Sequence, residues 1–369
     1  MPLIQETASW RRWLRSVVAR VAVGALGLLA LMGCGESSSR TDTTREPLKG
    51  GSNFSTDAPA QSSGSVGTPV ASAETDGSWR SLAPLLSARS EVAAVALDGH
   101  VYVMGGLTPD GGVTSKVEAY EPVSDSWEER AELPLALHHV GATVLGGKIY
   151  VIGGFARGFT PVDTVFEYDP AIDTWRARAP LPTPRGALAA AALGGKVYAV
   201  GGVIGFGRSN VAVLEIYDPA ANAWQARSPM NVARDHLAVG VVNGKIYAIG
   251  GRFRHDFGSN LNVNEEYSPE ADAWTMRAPL PTTRSGIGAV VMGNQIYVFG
   301  GENPSGTFDS NEVYDPASDS WERLPSMPTS RHGLGAAVIE GTIYVLAGGI
   351  SPGSSDSDAN EAFQLARDP

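Results

Sequence analysis

The side chains suited to acid–base work gather in a few short segments. Arg254, His255 and Asp256 stand in succession, and an imidazole and a carboxylate beside a guanidinium can move a proton while an anion is held. Arg157, Arg208 and Arg252 lie in comparable glycine-containing segments, and His138 and His139 are adjacent. No metal and no cofactor is expected. The six histidines show no ligand spacing, and two neighbours in an extended strand would point to opposite faces. Neither a phosphate-cradling glycine loop nor a nucleophile elbow occurs. The single cysteine, Cys34, excludes a disulfide within the chain, so packing must supply stability. The formal net charge of −11 argues against nucleic acid as a partner, because phosphate contacts need a basic surface.

The elements that position these groups are repeated. Gly-Gly pairs stand at Gly105-Gly106, Gly153-Gly154, Gly201-Gly202, Gly250-Gly251, Gly300-Gly301 and Gly348-Gly349, at intervals of 48, 48, 49, 50 and 48. Trp79, Trp127, Trp175, Trp224, Trp274 and Trp321 recur with the same period, as do Tyr120, Tyr168, Tyr217, Tyr267, Tyr314 and Phe363. Each repeat reads as four strands, a to d. Strand a is small and apolar, strand b ends in the glycine pair, strand c ends at the repeated aromatic, and strand d carries the Trp. Two-residue segments such as Asp98-Gly99 and Asn243-Gly244 join a to b as hairpin turns. Asp-Pro-like turns join c to d. The first element is a lone strand d around Trp79, and the last repeat lacks one. The N-terminal strand therefore completes the last blade and removes the exposed sheet edges.

A period near 50 with a double glycine, then Tyr, then Trp resembles the kelch repeat. The resemblance covers everything from Gly77 onward. It implies an all-β fold: a six-bladed kelch-type β-propeller with four antiparallel strands per blade. Kelch propellers also carry galactose-oxidase-like copper enzymes, but their Cys-Tyr cofactor cannot form when the one cysteine is Cys34. Sialic-acid mutarotases are exported six-bladed kelch propellers as well, and the resemblance makes a mutarotase-like epimerase an alternative reading.

Four antiparallel strands put the d–a and b–c loops on one face and the a–b and c–d turns on the other. The c–d turns are acidic. The opposite face gathers Arg157, Arg208, Arg252, Arg254 and His255 in b–c loops, with His138, His139 and His332 at the starts of strand a. Asp163, Asp256 and Asp309 dilute that charge. Variable loops on a rigid scaffold are where binding sits, so this face is the expected binding face. An arginine also opens strand a at Arg89, Arg185, Arg234, Arg284 and Arg331, and in some animal kelch adaptors arginines there grip acidic peptides. A glutamate stands two residues before the repeated aromatic at Glu118, Glu215, Glu265, Glu312 and Glu361. Repeat 2 has Leu137 and Phe166 instead and lacks both partners at once. This joint loss points to five structural ion pairs, each Arg reaching over the glycine pair to its Glu.

The chain begins differently. Arg11, Arg12, Arg15 and Arg20 precede an apolar run over 21–33 that is too short for a membrane span of roughly 20 residues and reads as a signal peptide. It ends in Leu31-Met32-Gly33-Cys34, which resembles the bacterial lipobox. That resemblance implies a lipid on Cys34 and a membrane anchor, and Gly35 points to the outer membrane of a Gram-negative host. The organisation expected is a lipoprotein leader over 1–33, the acylated cysteine with a Ser/Thr/Gly/Pro-rich flexible tether over 34–76, and a propeller over 77–369. The function expected is non-enzymatic binding of a protein or glycan at the cell envelope. The alternatives are the epimerase and a structural envelope protein without a discrete ligand.

Overall fold

The computed structural model describes residues 77–205, 209–254 and 256–366. The leader, the tether, Cys34, Arg208 and His255 lie outside them. Among the described residues every regular element is a strand. Blade 1 is built from Ala93–Leu97, His100–Met104, Val117–Glu121 and Ser126–Arg130, hydrogen-bonded in that order. Blades 2 to 5 repeat the pattern, with their strands a at Gly141–Leu145, Ala189–Leu193, Ala238–Val242 and Gly288–Met292. Blade 6 takes Gly335–Ile339, Thr342–Leu346 and Asn360–Leu365 from the end of the chain and Gly77–Ser81 from the beginning, with Trp79 opposite Phe363. The ring is thus closed by hydrogen bonds between the two ends of the propeller, and no blade is left three-stranded.

Local chemistry explains each element. The a–b connections have positive φ at both central residues, as at Asp98 and Gly99 or Asn243 and Gly244, the twist that suits a two-residue hairpin. After its first residue strand b is sheltered on both faces, so it is apolar or aromatic there, as in Ile149, Tyr150, Val151 and Ile152. The core lies between the sheets: Val95 and Tyr102 of blade 1 pack in one cluster with Val151 and Tyr168 of blade 2.

Polar clasps repeat from blade to blade. Each Trp indole donates to a backbone carbonyl of the preceding blade, from Trp127 to Ala83 (2.9 Å) through Trp321 to Ala278 (2.9 Å). Trp79 closes the circle on Pro325 (2.9 Å). The acidic c–d turns do a second job. Tyr120, Tyr267 and Tyr314 donate to Asp125, Asp272 and Asp319 five residues on, and the same carboxylate oxygen accepts a backbone N–H of the preceding blade. In blade 3, Asn222 makes both bonds in place of an aspartate. The glycine register of blade 6 differs from the sequence alignment. Ala347-Gly348, with φ of 56° and 99°, takes the place held elsewhere by Gly-Gly, and Gly349 lies one step further, bridged to His332.

The tyrosine hydroxyls, followed by the preceding blade's N–H groups, hold Asp125, Asp272 and Asp319 below the ordinary aspartate value of 3.8. A depressed native pKa stabilises above the unfolded value, and the gain is lost as pH falls through the native one. The chain should therefore lose stability as pH drops below about 4. The triple change Asp125→Asn, Asp272→Asn, Asp319→Asn should flatten that loss while leaving the fold intact at pH 7, as Asn222 does in blade 3. Urea unfolding at pH 7 and pH 3 measures this; an unchanged pH dependence would refute it.

Candidate functional site

The strand-a arginines are buried, and their heads point away from solvent. Arg89, Arg185, Arg234, Arg284 and Arg331 are all 0% exposed. Arg89 meets Glu118 at 2.9 Å, Arg185 meets Glu215 at 2.5 Å, Arg234 meets Glu265 at 2.5 Å and Arg331 meets Glu361 at 2.6 Å, and Arg284 pairs with Glu312. Each arginine also donates to the carbonyl of the first residue of the glycine pair, as from Arg234 Nε to Gly250 O at 2.9 Å. Burial pushes the guanidiniums below their ordinary value and the glutamates push back. The second glycine is needed for room: a Cβ on Gly251 would stand 2.7 Å from Asp235 O and 3.4 Å from Arg234 Cδ, at a φ of +99°. Blade 2 fills the same volume with Leu137 and Phe166, which share one apolar cluster.

One further position follows the pair. Ser87, Thr183, Thr282 and Thr329 each donate a hydroxyl hydrogen to their blade's glutamate. Blade 2, with no glutamate, has Leu135 at that place. Its side chain is 36% exposed. It lines a cleft of about 470 Å³ together with Asp110, Val113, Ala136, Ala156 and Arg157. Arg157 is exposed there.

Nearer the axis, each blade contributes one residue to a closed ring of six backbone hydrogen bonds. Glu91 donates to Gly333, which donates to Gly286; the ring runs on through His236, Ala187 and His139 back to Glu91. All six have φ between 52° and 66°. These residues border a cavity of about 100 Å³. The neighbours of the ring carry charge. Asp235 contacts His236 Nδ1 and Arg252 Nε. Arg252 Nη1 meets Glu302 at 2.7 Å, and its Nη2 lies 2.7 Å from His236 Nε2. His332 Nδ1 and Nε2 face the carbonyls of Gly349 and Gly353, and Nε2 also faces Glu91 and Glu302 at 3.5 and 3.7 Å. Burial would raise the Glu302 carboxyl, but His332, the Gly353 N–H and Arg252 hold it below the usual carboxylate range.

The structure sorts the loop candidates. Arg252 is buried and belongs to the axial cluster, not to the rim. Arg254 is exposed, with its guanidinium 5.3 Å from the Phe253 ring centre. Asp256 is used within its own turn, accepting from Gly258 N and Ser259 Oγ, and no ion pair joins it to Arg254 among the described residues. His138 and His139 do not diverge as two strand neighbours would. They precede strand a, and the positive φ of His139 (54°) turns the two rings together, with Nδ1 atoms 2.5 Å apart. Glu91, Asp235, His236 and Glu302 escaped the sequence reading. The signal was positional: Glu91, His139 and His236 each stand two residues after the Arg (or Leu) position, and Arg252 and Glu302 directly follow a glycine pair. Among the described residues, Glu91, His139 and His236 each bring a potential ligand atom within 4.8 Å of the others.

Comparison with known proteins agrees with this architecture. The KLHDC2/KLHL20/DRC7 kelch-repeats domain matches residues 91–277 and 188–366. Human Kelch-like protein 30 is 42% identical over 50 residues, 14% of this chain and 8% of that protein. A solved structure titled "Structure of YjhT" superposes with a TM-score of 0.66 at 14% identity, over 75% of this chain and 95% of its own; at that identity the likeness is one of fold.

Removing one partner of a buried ion pair costs about 3–5 kcal/mol, whereas replacing both with apolar groups can be neutral. Arg234→Leu and Glu265→Phe should each destabilise by about that much, and the double change, which copies blade 2, by much less than their sum. Additive losses in denaturant titrations would show that the two side chains do not act as a pair.

Proposed function

Since the chain belongs to the KLHDC2/KLHL20/DRC7 kelch-repeat family, we propose that it is a non-enzymatic recognition module that holds a carboxylate-bearing protein segment or glycan in the cleft between blades 1 and 2. The observation that carries this reading is the break in the repeat. The one blade without the Arg–Glu pair turns Leu135 outward beside Arg157, and the cleft they line is larger than the axial cavity. Its volume of about 470 Å³ falls within the usual range of ligand pockets, roughly 300–1,000 Å³. Val113, Leu135, Ala136 and Ala156 give it an apolar wall, and Arg157 offers a guanidinium for a carboxylate. The five strand-a arginines are spent on their own glutamates.

The epimerase reading draws support from one place. Glu302, His332 and Arg252 converge at the axis, an acid–base set beside a guanidinium. The cavity there, about 100 Å³, is small for a sugar, and its charged groups are tied to one another. The front of the chain supplies the address: Leu31-Met32-Gly33-Cys34 supports lipid attachment at Cys34 and a place in the cell envelope, with Gly35 favouring the outer membrane.

Two measurements test these statements. The full chain, labelled and applied to glycan and peptide arrays, should select ligands bearing a carboxylate; Arg157→Ala and Leu135→Asp should each weaken the best hit at least tenfold, and Arg254→Ala should leave it unchanged. Hits that survive both cleft variants would move the site elsewhere, and sugar hits that interconvert anomers faster by NMR would favour the epimerase. Incorporation of labelled palmitate in a bacterial host should occur in the native chain and vanish in Cys34→Ser; labelling that persists would refute the anchor.

A further inference from the structure

The geometry points to a second site, apart from the rim cleft: we propose that Glu91, His139 and His236 ligate one first-row divalent metal ion, of the class of Zn²⁺ or Fe²⁺, at the axial mouth of the propeller. Two imidazoles and a carboxylate with further positions open are the donor set of catalytic zinc and of non-haem iron centres.

Several independent features agree. One donor atom from each residue lies within 4.8 Å of the others, and Glu91 Oε2 stands 3.1 Å from His139 Nε2. Neighbouring ligands on a metal with bonds of about 2.1 Å are roughly 3.0–3.4 Å apart, so this pair already has the required separation. Outer contacts orient the rings as metal-bound imidazoles are oriented. Asp235 takes His236 Nδ1, so that the ligating nitrogen would be Nε2, which faces Arg252 Nη2. His138 Nδ1 lies against His139 Nδ1, leaving that ring's Nε2 on the side of Glu91.

The backbone fixes the same arrangement. The three residues occupy one equivalent position in blades 1, 2 and 4, with φ of 53°, 54° and 52°, inside the closed hydrogen-bonded ring. Blades 3, 5 and 6 carry Ala187, Gly286 and Gly333 there. Gly333 makes room for the Glu91 carboxylate, since a Cβ there would stand 2.6 Å from Glu91 Cδ, and the cavity of about 100 Å³ bordered by the ring is the space for the ion. The three donors are 8%, 9% and 6% exposed, so the ion would be largely desolvated and held by fixed groups.

Charge favours a cation. Among the described residues Asp235 and Glu302 meet the Arg252 guanidinium, the Glu91 carboxylate faces the imidazoles of His139 and His332, and buried charge is costly unless it is balanced. Arg252 Nη2 now lies on His236 Nε2 at 2.7 Å. An incoming ion would displace the guanidinium from that contact, and since the group is planar its bonds to Asp235 and Glu302 would shift with it.

The test is metal uptake by the full chain, stripped with EDTA, dialysed, and titrated with Zn²⁺ by calorimetry and with Co²⁺ by visible absorption. One ion per chain is expected. Glu91→Gln, His139→Ala and His236→Ala should each weaken binding at least tenfold. Asp235→Asn should weaken it about 10- to 100-fold, the usual effect of losing an outer partner. His100→Ala, at the opposite face, should change nothing. Glu91→Gln is nearly isosteric, so a variant that keeps the native thermal melt can be compared directly. A native chain that takes up no stoichiometric ion overturns the proposal, and so does a folded Glu91→Gln chain that binds Zn²⁺ as tightly as the native one. The array measurement at the rim cleft does not depend on either result.

Discussion

Six strand-a backbones converge on one axis, and the crowding there governs the rest of the molecule. A Cβ added at Gly335 would stand 2.5 Å from Ala94 Cβ, and one at Gly288 the same distance from Leu334 Cδ1. Alanine, glycine and β-branched residues fill all but the last position, which is why strands a read as AAVAL, AAAAL or GAVVM. Close packing at the centre leaves the outer strands splayed, and the gaps between them need large side chains. The Trp and Tyr residues of strands d and c fill those gaps, stacked about 5 Å apart within each blade. The Trp indoles then bond to the preceding blade, and the Tyr hydroxyls hold the turn residue that does the same, so that apolar filling and directional bonding come from the same residues.

The crowding also explains the buried arginines. At the rim where strand b ends, the glycine pair removes side chains from the space between strands a and c. An arginine can lie across that space, donate to the carbonyl left at the first glycine and finish on a glutamate of strand c. Desolvating both charges is offset by several hydrogen bonds to each, including the Ser or Thr hydroxyls on the glutamates. Where one partner is missing the other becomes a liability, so blade 2 has dispensed with Arg, Glu and hydroxyl together. That substitution converts a sealed rim into an apolar wall at Leu135, and the cleft beside Arg157 follows from it.

The face formed by the d–a and b–c loops thus has two levels with different chemistry. At the rim, loops of unequal length leave an open cleft with one accessible guanidinium. At the axis, the backbone ring forces positive φ on six equivalent residues, and three of these carry donor side chains that converge because the ring is only one residue deep. The same ring that costs local backbone strain at Glu91, His139 and His236 holds those donors in fixed positions.

How much of this was legible in the sequence follows the range of the interactions. The period of Gly-Gly, Tyr and Trp determined the number of blades, their strand order and the closure by Trp79, because each blade is a local hairpin set whose side-chain alternation is written residue by residue. The paired loss of Arg and Glu in repeat 2 identified which side chains meet, since a buried charge constrains its partner wherever it lies in the chain. Two things were decided only by the tertiary structure. Ala347 could take a glycine's place in blade 6 because its neighbours set φ, and no alignment of Gly-Gly pairs shows that. The axial cluster joins Glu91, His139, Asp235, His236, Arg252, Glu302 and His332 from five blades, and residues that far apart in the chain meet only because the ring closes. His138 and His139 mark the boundary most clearly: extended backbone would have separated their rings, and the positive φ demanded by the hydrogen-bonded ring brings them together.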